Sequence, residues 1–389
     1  MTFPSTGKAS GTGSPSMPLS ENQSWNRHWD VAVVGGGVFG LACGLACVRG
    51  GLATAVFESH RIGSGASGGP LGAMTPFSPV PWSPRKQFQF EALVTAERYW
   101  AEVDAVSGID SGYGRVGRWV PLADRQAFER AQAHVAEVGR FWGSTFDLTL
   151  RSKASPRIAP GSARFGVMHD TLSSRIRPAD ACRSLARTAR FAGVDVFEGH
   201  RVTGIERGAI STEPRPDGVR ADTIILAAGA DSFRWLSPEV ASEGLTGGGV
   251  KGQAALVDCN LGMTPVIQSG GLFIVSHSDA TVGVGSTREV DWSNPTETDG
   301  QLDSVIDAAA AICPELIGAP VVRRWAGLRP RADGANPLLG LVPNRPGLLV
   351  ATGGYGIGFG IAHVAGDIVA AHILGRTVSL PDGFHTMVG

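Results

Sequence analysis

Three glycines and one acidic residue near the N-terminus have the types and spacing needed to bind a dinucleotide. Gly35, Gly37 and Gly40 follow a short apolar run, and Glu58 stands 18 residues after Gly40. Gly35 permits a tight turn, Gly37 lets a pyrophosphate approach the backbone, and Gly40 lets a helix pack closely on a strand. An acid at position 58 is suited to hydrogen-bond an adenosine ribose and disfavours a 2′-phosphate. The pattern therefore predicts a site for FAD or NAD rather than NADP.

The elements around these residues come in the order that a βαβ unit requires. Residues 30–34 predict a buried parallel strand, residues 41–49 a helix and residues 53–57 a second strand. The runs 63–68 and 247–252 also match G-x-G-x-x-G. Only the first glycine run has strand, helix, strand and acid in order, which is the context that makes the motif specific. A dinucleotide site is therefore predicted there and not at the other two runs.

Two later strands also end in glycine-rich turns. Residues 223–228 run into Gly229, and residues 348–351 run into the loop 353–358, which a long apolar helix follows at about 359–374. Three such turns can line one edge of a sheet, and a ligand longer than NAD would explain all three. The positive N-terminus of the last helix suits the pyrimidine side of a flavin, where negative charge develops on reduction. These features favour FAD.

Composition excludes several other classes of protein. With 34 basic and 35 acidic residues, the chain has a formal net charge of −1, which argues against a nucleic-acid partner. The five cysteines form no C-x-x-C motif, so neither a disulfide framework nor a metal site is expected. Such cysteine usage is typical of a reducing compartment, and we expect a cytoplasmic protein. Residues 1–29 predict a disordered tail, and no membrane span is expected.

Longer motifs carry a resemblance to a known family. The most specific is Trp325–Pro330, with the sequence WAGLRP, and the loop 353–358 is a second. With the first glycine turn and Glu58, they resemble the D-amino-acid oxidase superfamily of FAD-dependent oxidoreductases, most closely its glycine oxidase and sarcosine oxidase branch. The resemblance extends over nearly the whole chain after the tail, from about Asp30 to Gly375.

The resemblance implies an α/β fold in which a Rossmann-type FAD-binding domain is interleaved with a mixed-sheet α+β substrate domain. The FAD-binding domain would take residues 30–80, 161–235 and 323–389, and the substrate domain residues 81–160 and 236–322. Amphipathic patterns over residues 92–106 and 126–141 predict two scaffold helices.

The resemblance also implies a set of residues in contact with FAD. They come from the first glycine turn and its acid, the loop after it, an adenine-side strand, the second glycine turn, the WAGLRP motif and the last glycine loop: Gly35, Gly37, Val38, Gly40, Glu58, Ser59, Ser64, Ala66, Ser67, Ala73, Met74, Val202, Ala228, Gly229, Arg329, Gly354, Tyr355, Gly356, Ile357 and Gly358. The cofactor would be non-covalent. None of the cysteines follows the WAGLRP motif, and the loop 64–74 has no histidine, so the covalent attachment sites of related enzymes are missing.

Four residues are candidates for the substrate side of the site. A guanidinium can hold a carboxylate in two parallel hydrogen bonds, and the resemblance implies this role for Arg329, with Tyr355 nearby. The alternative is that Arg329 pairs with Asp333 or caps a loop. At two positions the chain departs from the glycine-oxidase pattern: Phe273 replaces an expected tyrosine, and Arg288 replaces an expected apolar residue.

A third departure is Gly356, which stands where that branch often has arginine. One hypothesis is that Arg288 and Arg329 together hold a substrate with two acidic groups. The simpler interpretation is a surface ion pair of Arg288 with Glu289 or Asp291.

The predicted reaction is oxidation of the C–N bond of a small amino acid or N-methyl amino acid by hydride transfer to flavin N5. It would give an imine and, with oxygen, hydrogen peroxide. One alternative is a dehydrogenase that passes electrons to a quinone or carrier protein. Others are an FAD-dependent enzyme that modifies an aminomethyl-uridine of tRNA, and a non-catalytic flavin-binding protein. The expected partners are a small amine or amino acid and an electron acceptor, and a homo-oligomer is compatible with the sequence.

Overall fold

The structure is a computed structural model that describes residues 27–236, 245–334, 336–377 and 380. The predicted tail lies outside the described residues except for its last three. The strands, in chain order, are β1 (Trp29–Val34), β2 (Thr54–Glu58), β3 (Ala73–Met74), β4 (Arg118–Pro121), β5 (Leu148–Arg151), β6 (Val167–Asp170), β7 (Ser174–Arg175), β8 (Asp195–Glu198), β9 (Arg201–Glu206), β10 (Ala209–Glu213), β11 (Val219–Leu226), β12 (Gly247–Asp258), β13 (Val266–Ser269), β14 (Leu272–Ser276), β15 (Thr281–Gly285), β16 (Val321–Ala332), β17 (Leu338–Leu341) and β18 (Leu348–Thr352).

The helices connect these strands and cover the sheets. They are α1 (Val38–Arg49), α2 (Pro84–Ser107), α3 (Arg125–Trp142), α4 (Pro178–Phe191), α5 (Ser232–Trp235), α6 (Gly300–Ile312) and α7 (Gly358–Ile373). Short 3-10 turns lie at Ala66–Gly68 in the loop after β2, and at Gly229–Asp231 and Tyr355–Ile357 in the second and third glycine-rich turns.

The first sheet has the strand order β17-β18-β11-β1-β2-β8, and the hairpin β9–β10 pairs with β11. From β18 to β8 the neighbours are parallel, whereas β17 is antiparallel to β18. Val31, Ala32 and Val33 in β1 are fully buried, as expected for a parallel strand covered on both faces. The Rossmann-type unit predicted at the N-terminus is confirmed.

A helical layer covers one face of the first sheet. Helices α1, α2, α4 and α7 pack together there, and their buried side chains form one continuous core with the sheet. Helix α2 starts at an N-cap, Ser83, whose side chain accepts a hydrogen bond from the Lys86 N–H at 3.4 Å. It begins eight residues before the predicted helix 92–106, and Trp100 is among the large side chains that it buries.

The second sheet has the strand order β16-β12-β15-β14-β13-β4-β6-β5. It is mixed, because β13 pairs parallel with β4 while the other neighbours are antiparallel. Helix α6 covers one face, where Ala309 and Cys313 pack against Val257, Ile274 and Val284. The opposite face is turned towards the loop that follows β2. The glycine run 247–252 lies within β12, so it is a strand and not a phosphate-binding turn.

The sheet topology differs from the expected domain boundaries at three places. Strand β6 was expected in the FAD-binding domain but pairs with β4 and β5 in the second sheet. Most of β16 was also expected there, but its antiparallel register with β12 commits all of it to the second sheet. Helix α2 was assigned to the substrate domain, yet its apolar face is buried against α4 and α7 of the FAD-binding domain.

The long apolar helix predicted at about 359–374 lies in a segment that was not expected to match the length and composition of a membrane span. Residues Tyr355–Ile373 are long and apolar enough to cross a membrane by length and composition, with a mean hydropathy of 1.4 over the best window. Half of that window is buried inside the protein, where α7 packs on α1. This burial accounts for the apolar composition of the segment.

Candidate functional site

The first glycine turn has the narrow geometry that its sequence predicts. Gly35 has φ +111°, and a Cβ there would lie 2.5 Å from the carbonyl oxygen of Ala227. A Cβ on Gly40 would lie 1.9 Å from the carbonyl oxygen of Gly35, so only glycine lets α1 start this close to β1. The N-cap, Gly37, brings no capping side chain to the helix. The helix therefore presents its N-terminal N–H groups and its positive end to the sheet edge, as a phosphate site requires.

Glu58 is held against this turn. Its Oε2 accepts a hydrogen bond from the Gly36 N–H at 2.8 Å. Its Oε1 accepts one from the His60 N–H at 2.9 Å and one from the Ser59 hydroxyl at 3.2 Å. The His200 N–H donates to the Glu58 carbonyl at 2.8 Å, so the start of β9, which carries Val202, runs beside the acid. The carboxylate is thus oriented before any ligand arrives.

The loop after β2 folds over the start of α1. The Ser67 hydroxyl accepts a hydrogen bond from the Val38 N–H at 3.1 Å, which places this loop at the helix N-terminus. Unlike Ser67, Ser64 does not contact the helix start. Its hydroxyl accepts a hydrogen bond from the Arg61 N–H at 3.1 Å, within the same loop. Met74 is 3 % exposed and its side chain lies in the core. Of the residues predicted in this loop, Ser67 is the one whose side chain reaches the helix start.

The other two glycine turns meet the first at the same sheet edge, because β11 lies between β1 and β18. The Thr352 hydroxyl donates to the Gly229 carbonyl at 2.8 Å and joins these two turns directly. A Cβ on Gly229 or Gly356 would meet no atom within 4 Å, so space is open beside both. Tyr355 has φ +40°, a strained conformation for a residue with a side chain. The predicted convergence of three glycine loops is confirmed.

One face of the second sheet forms the floor opposite this edge. Directly opposed residues of neighbouring antiparallel strands share a face of the sheet. One row across four strands consists of such opposed residues: Phe273, Gly285, Ala254 and Trp325. The Trp325 ring lies against Gly69 of the loop after β2, where a Cβ would come within 3.2 Å of it. This row of residues therefore faces the FAD-binding domain.

Arg329 lies on that face, over Gly252, where a Cβ would come within 2.7 Å of its Cζ. Its Nη1 donates to the Ser286 hydroxyl at 2.9 Å, and its Nη2 donates to the Thr287 carbonyl at 2.6 Å. The guanidinium carbon stands 5.1 Å from the centroid of the Tyr355 ring. Among the described residues, its buried Nε has no hydrogen-bond partner.

These contacts test the alternative for Arg329, which was an ion pair with Asp333 or the capping of a loop. It makes no ion pair with Asp333 among the described residues, but it does fasten the loop that follows β15. Three of its five N–H groups can be assigned to Ser286, Thr287 and, at 3.4 Å, the carbonyl of Lys251. Burial lowers the pKa of Arg329, and the nearby Arg288 cation lowers it as well. The two remaining N–H groups, one on Nε and one on Nη1, have no acceptor among the described residues.

A buried network behind this floor was not predicted from the sequence. Lys251 Nζ and Glu289 Oε2 form an ion pair at 3.3 Å, with side chains 5 % and 8 % exposed. Glu289 also accepts hydrogen bonds from the Thr287 hydroxyl and, at 2.9 Å, from Gln253 Nε2. The suggested surface pair of Arg288 with Glu289 is therefore wrong, because Glu289 faces the opposite side of the sheet. The alternation of side chains between buried Thr287, exposed Arg288 and buried Glu289 is the signal that sequence reasoning overlooked.

Comparison with known proteins gives a consistent result. The model of the DAO family, described as FAD-dependent oxidoreductases, matches residues 30–372. The glycine oxidase of Bacillus licheniformis is 27 % identical over 90 % of this chain and 95 % of its own. The glycine oxidase of Pseudomonas putida is 31 % identical, over 85 % of this chain and 91 % of its own. The crystal structure of glycine oxidase from Geobacillus kaustophilus superposes with a TM-score of 0.81 at 24 % identity and covers 94 % of this chain and 100 % of that one.

Proposed function

Because the chain belongs to the DAO family of FAD-dependent oxidoreductases, we propose that it oxidises the C–N bond of a small amino acid or N-methyl amino acid. The product is an imine, and with oxygen as acceptor the second product is hydrogen peroxide. The observation that supports an amino acid as substrate is the half-buried Arg329, which faces the FAD-binding domain with an unpaired Nε.

FAD is the cofactor of the enzyme and is held without a covalent bond. The residues present fit it: the turn of Gly35 and Gly40 leaves no room for a Cβ, Glu58 stands beside it, and open space lies along Gly229 and Gly356. All five cysteines are free, and none follows Arg329 in sequence within the same motif. When bound, FAD would supply flavin N5 as the hydride acceptor for the substrate carbon that bears the nitrogen.

The protein's own task is to position the substrate. A carboxylate bound to Arg329 would make charge-assisted hydrogen bonds, each contributing about 1.5–3 kcal/mol. Ser286 and Thr287 hold the guanidinium in place before substrate binds, so little side-chain entropy is lost on binding. Phe273 and Trp325, on the same face, are apolar and exclude water around the reacting carbon. None of these five residues is proposed as an acid or base, which agrees with a reaction in which the cofactor carries the chemical step.

Oxygen is the acceptor that we propose, because the relatives with 27 % and 31 % identity are named oxidases. Free cysteines also agree with the cytoplasmic location that we propose for the enzyme. A dehydrogenase of the same fold would differ only in the reoxidation step.

The test is to add glycine, sarcosine and other amino acids to the yellow protein without oxygen and to record bleaching of the flavin. Admission of air then separates an oxidase, which regains its colour quickly, from a dehydrogenase, which needs a dye. Arg329→Met should lower kcat/KM about 100-fold, the equivalent of about 3 kcal/mol of lost hydrogen bonding. Arg151→Met, at the far edge of the second sheet, is the matched control and should leave kcat/KM unchanged. Equal kcat/KM in wild type and Arg329→Met at full FAD content would refute the assignment.

A further inference from the structure

Arg288 lies on the same face of the second sheet as Arg329. Glu289 forms a backbone bridge with Lys251, and its side chain pairs with Lys251 on the α6 side of the sheet. Side chains alternate along an extended segment, so Arg288 points to the opposite side, towards Arg329. Burial is the main cause that lowers the pKa of Arg329, and the Arg288 cation is near enough to lower it further.

Glu289 acts to raise the pKa of Arg329, but it does so from a distance and forms its ion pair with Lys251. Within the described part of the chain, neither Arg288 nor Arg329 forms an ion pair. Glu289 is committed to Lys251, and Asp291 lies more than 4.0 Å from any cation in that part of the chain. Two like charges held near each other without an ion-pair partner among the described residues raise the free energy of the unliganded site, and a ligand with matching negative charges lowers it.

The surrounding residues leave room for such a ligand. A Cβ on Gly356, across from Arg329, would meet no atom within 4 Å. Phe273 offers no hydroxyl to the pocket, and a small neutral substituent would gain no hydrogen bond from it. Arg288 itself is exposed, and its guanidinium forms no ion pair among the described residues that would hold it away from a ligand.

We propose that the substrate carries two acidic groups: its amino-acid carboxylate binds Arg329, and a second carboxylate binds Arg288. The substrate class is then a dicarboxylic amino acid or a secondary amine with two carboxymethyl groups. This assignment rests on the proposed function for the reaction, but the charge recognition can be measured separately.

The first experiment compares pairs of amines that differ in one carboxylate. We measure kcat/KM for iminodiacetate and sarcosine, and for both enantiomers of aspartate and of alanine. Each pair is measured in the wild type and in Arg288→Met. We expect the wild type to prefer the diacid at least tenfold, and the ratio of diacid to monoacid to fall at least 30-fold in the variant. Arg151→Met should keep the wild-type ratio. A ratio that Arg288→Met leaves unchanged overturns the proposal.

The second experiment needs no turnover. Binding of malonate and acetate to the FAD-loaded protein is measured by titration calorimetry, and malonate should bind at least tenfold more tightly in the wild type but not in Arg288→Met. If no amine reduces the flavin, the proposed reaction fails, while this difference still supports the two-arginine site. If monoacids reduce the flavin and malonate shows no advantage, the reaction stands and the two-arginine site is refuted. Arg331 is on the same strand face as Arg329 and is therefore the competing candidate for the second carboxylate. The proposal is also refuted if Arg331→Met loses the preference for malonate over acetate while Arg288→Met keeps it.

Discussion

The buried pair of Lys251 and Glu289 allows a sharp test of how the floor of the site is held. Glu289→Gln keeps the size of the side chain and its hydrogen-bonding partners Thr287 and Gln253 but removes the charge. Among the described residues, Lys251, 5 % exposed, would keep Asp299 at 4.0 Å as its one counter-ion. Removal of one partner from a buried ion pair costs about 3–5 kcal/mol. We expect a loss of about 3 kcal/mol, because Asp299 retains part of the attraction.

This loss corresponds to a measurable shift in melting temperature. With an unfolding entropy of about 2.1 cal/mol/K per residue, a loss of about 3 kcal/mol lowers the Tm of a chain of this length by about 4 °C. The measurement is thermal unfolding by circular dichroism at pH 7 with saturating FAD. The pH matters because burial alone would raise the pKa of Glu289, but hydrogen bonds from Thr287, Gln253 and Lys251 lower it. Its charge therefore contributes fully above about pH 4.3 and loses its contribution as the pH falls through the lowered folded-state value.

The double variant Lys251→Met/Glu289→Gln separates the ion pair from simple packing. With both charges gone, no uncompensated ion remains, and we expect a stability within about 1 kcal/mol of wild type. The single variants should therefore be non-additive by about 2 kcal/mol or more. Substrate binding should follow stability, because the segment that Glu289 fixes also carries the Thr287 carbonyl and the Ser286 hydroxyl that hold Arg329. A Glu289→Gln enzyme with wild-type Tm and KM would refute this account.

Three further predictions concern the cofactor turn and the core. Gly40→Ala places a Cβ 1.9 Å from the Gly35 carbonyl oxygen and should weaken FAD binding at least tenfold, measured by fluorescence titration. The control is Gly139→Ala in α3, where the added Cβ would meet no atom within 4 Å. That variant should gain up to about 1 kcal/mol of stability. Glu58→Gln keeps an acceptor for the Gly36 N–H but loses the charge towards the ribose, and the same titration should show about tenfold weaker FAD binding; unchanged affinity would exclude Glu58 from the site. Burial lowers the pKa of His363 to about 4, so between about pH 6.5 and 4 the unfolded chain binds the extra proton and stability falls with falling pH. His363→Gln should remove about 2 kcal/mol of the stability loss between pH 7.5 and 5, measured by urea unfolding, and an unchanged pH slope would show that His363 does not titrate this way.

The first part of the site could be predicted because its signals are local. The turn at Gly35, the start of α1 and the acid at the end of β2 lie within the 24 residues 35–58, and each depends on near neighbours in sequence. The predicted helix 41–49 lies inside the observed Val38–Arg49, and the predicted strand 53–57 is displaced by one residue from Thr54–Glu58. Glycine at a position where a Cβ would clash is a requirement that the chain displays directly.

The second sheet could not be predicted in the same way, because its order depends on pairings between distant segments. β6 reaches the sheet through β4, some 50 residues earlier, and β16 through β12, some 75 residues earlier. The apolar content of α2 shows that it is buried, but not that it is buried against α4 and α7. These are the points at which the expected domain boundaries differ from the structure.

Arg288 shows how a strand register decides between two functional hypotheses. In sequence it stands next to Glu289, and an ion pair between adjacent residues is the simplest interpretation of such charges. In an extended segment, however, adjacent side chains point to opposite faces, and the bridge between Glu289 and Lys251 fixes which face each one takes. Glu289 then finds its cation behind the sheet, and Arg288 is left on the side of Arg329. A shift of one residue in this register would exchange the two faces, so the charge of the pocket depends on the same Lys251–Glu289 pair that stabilises the floor.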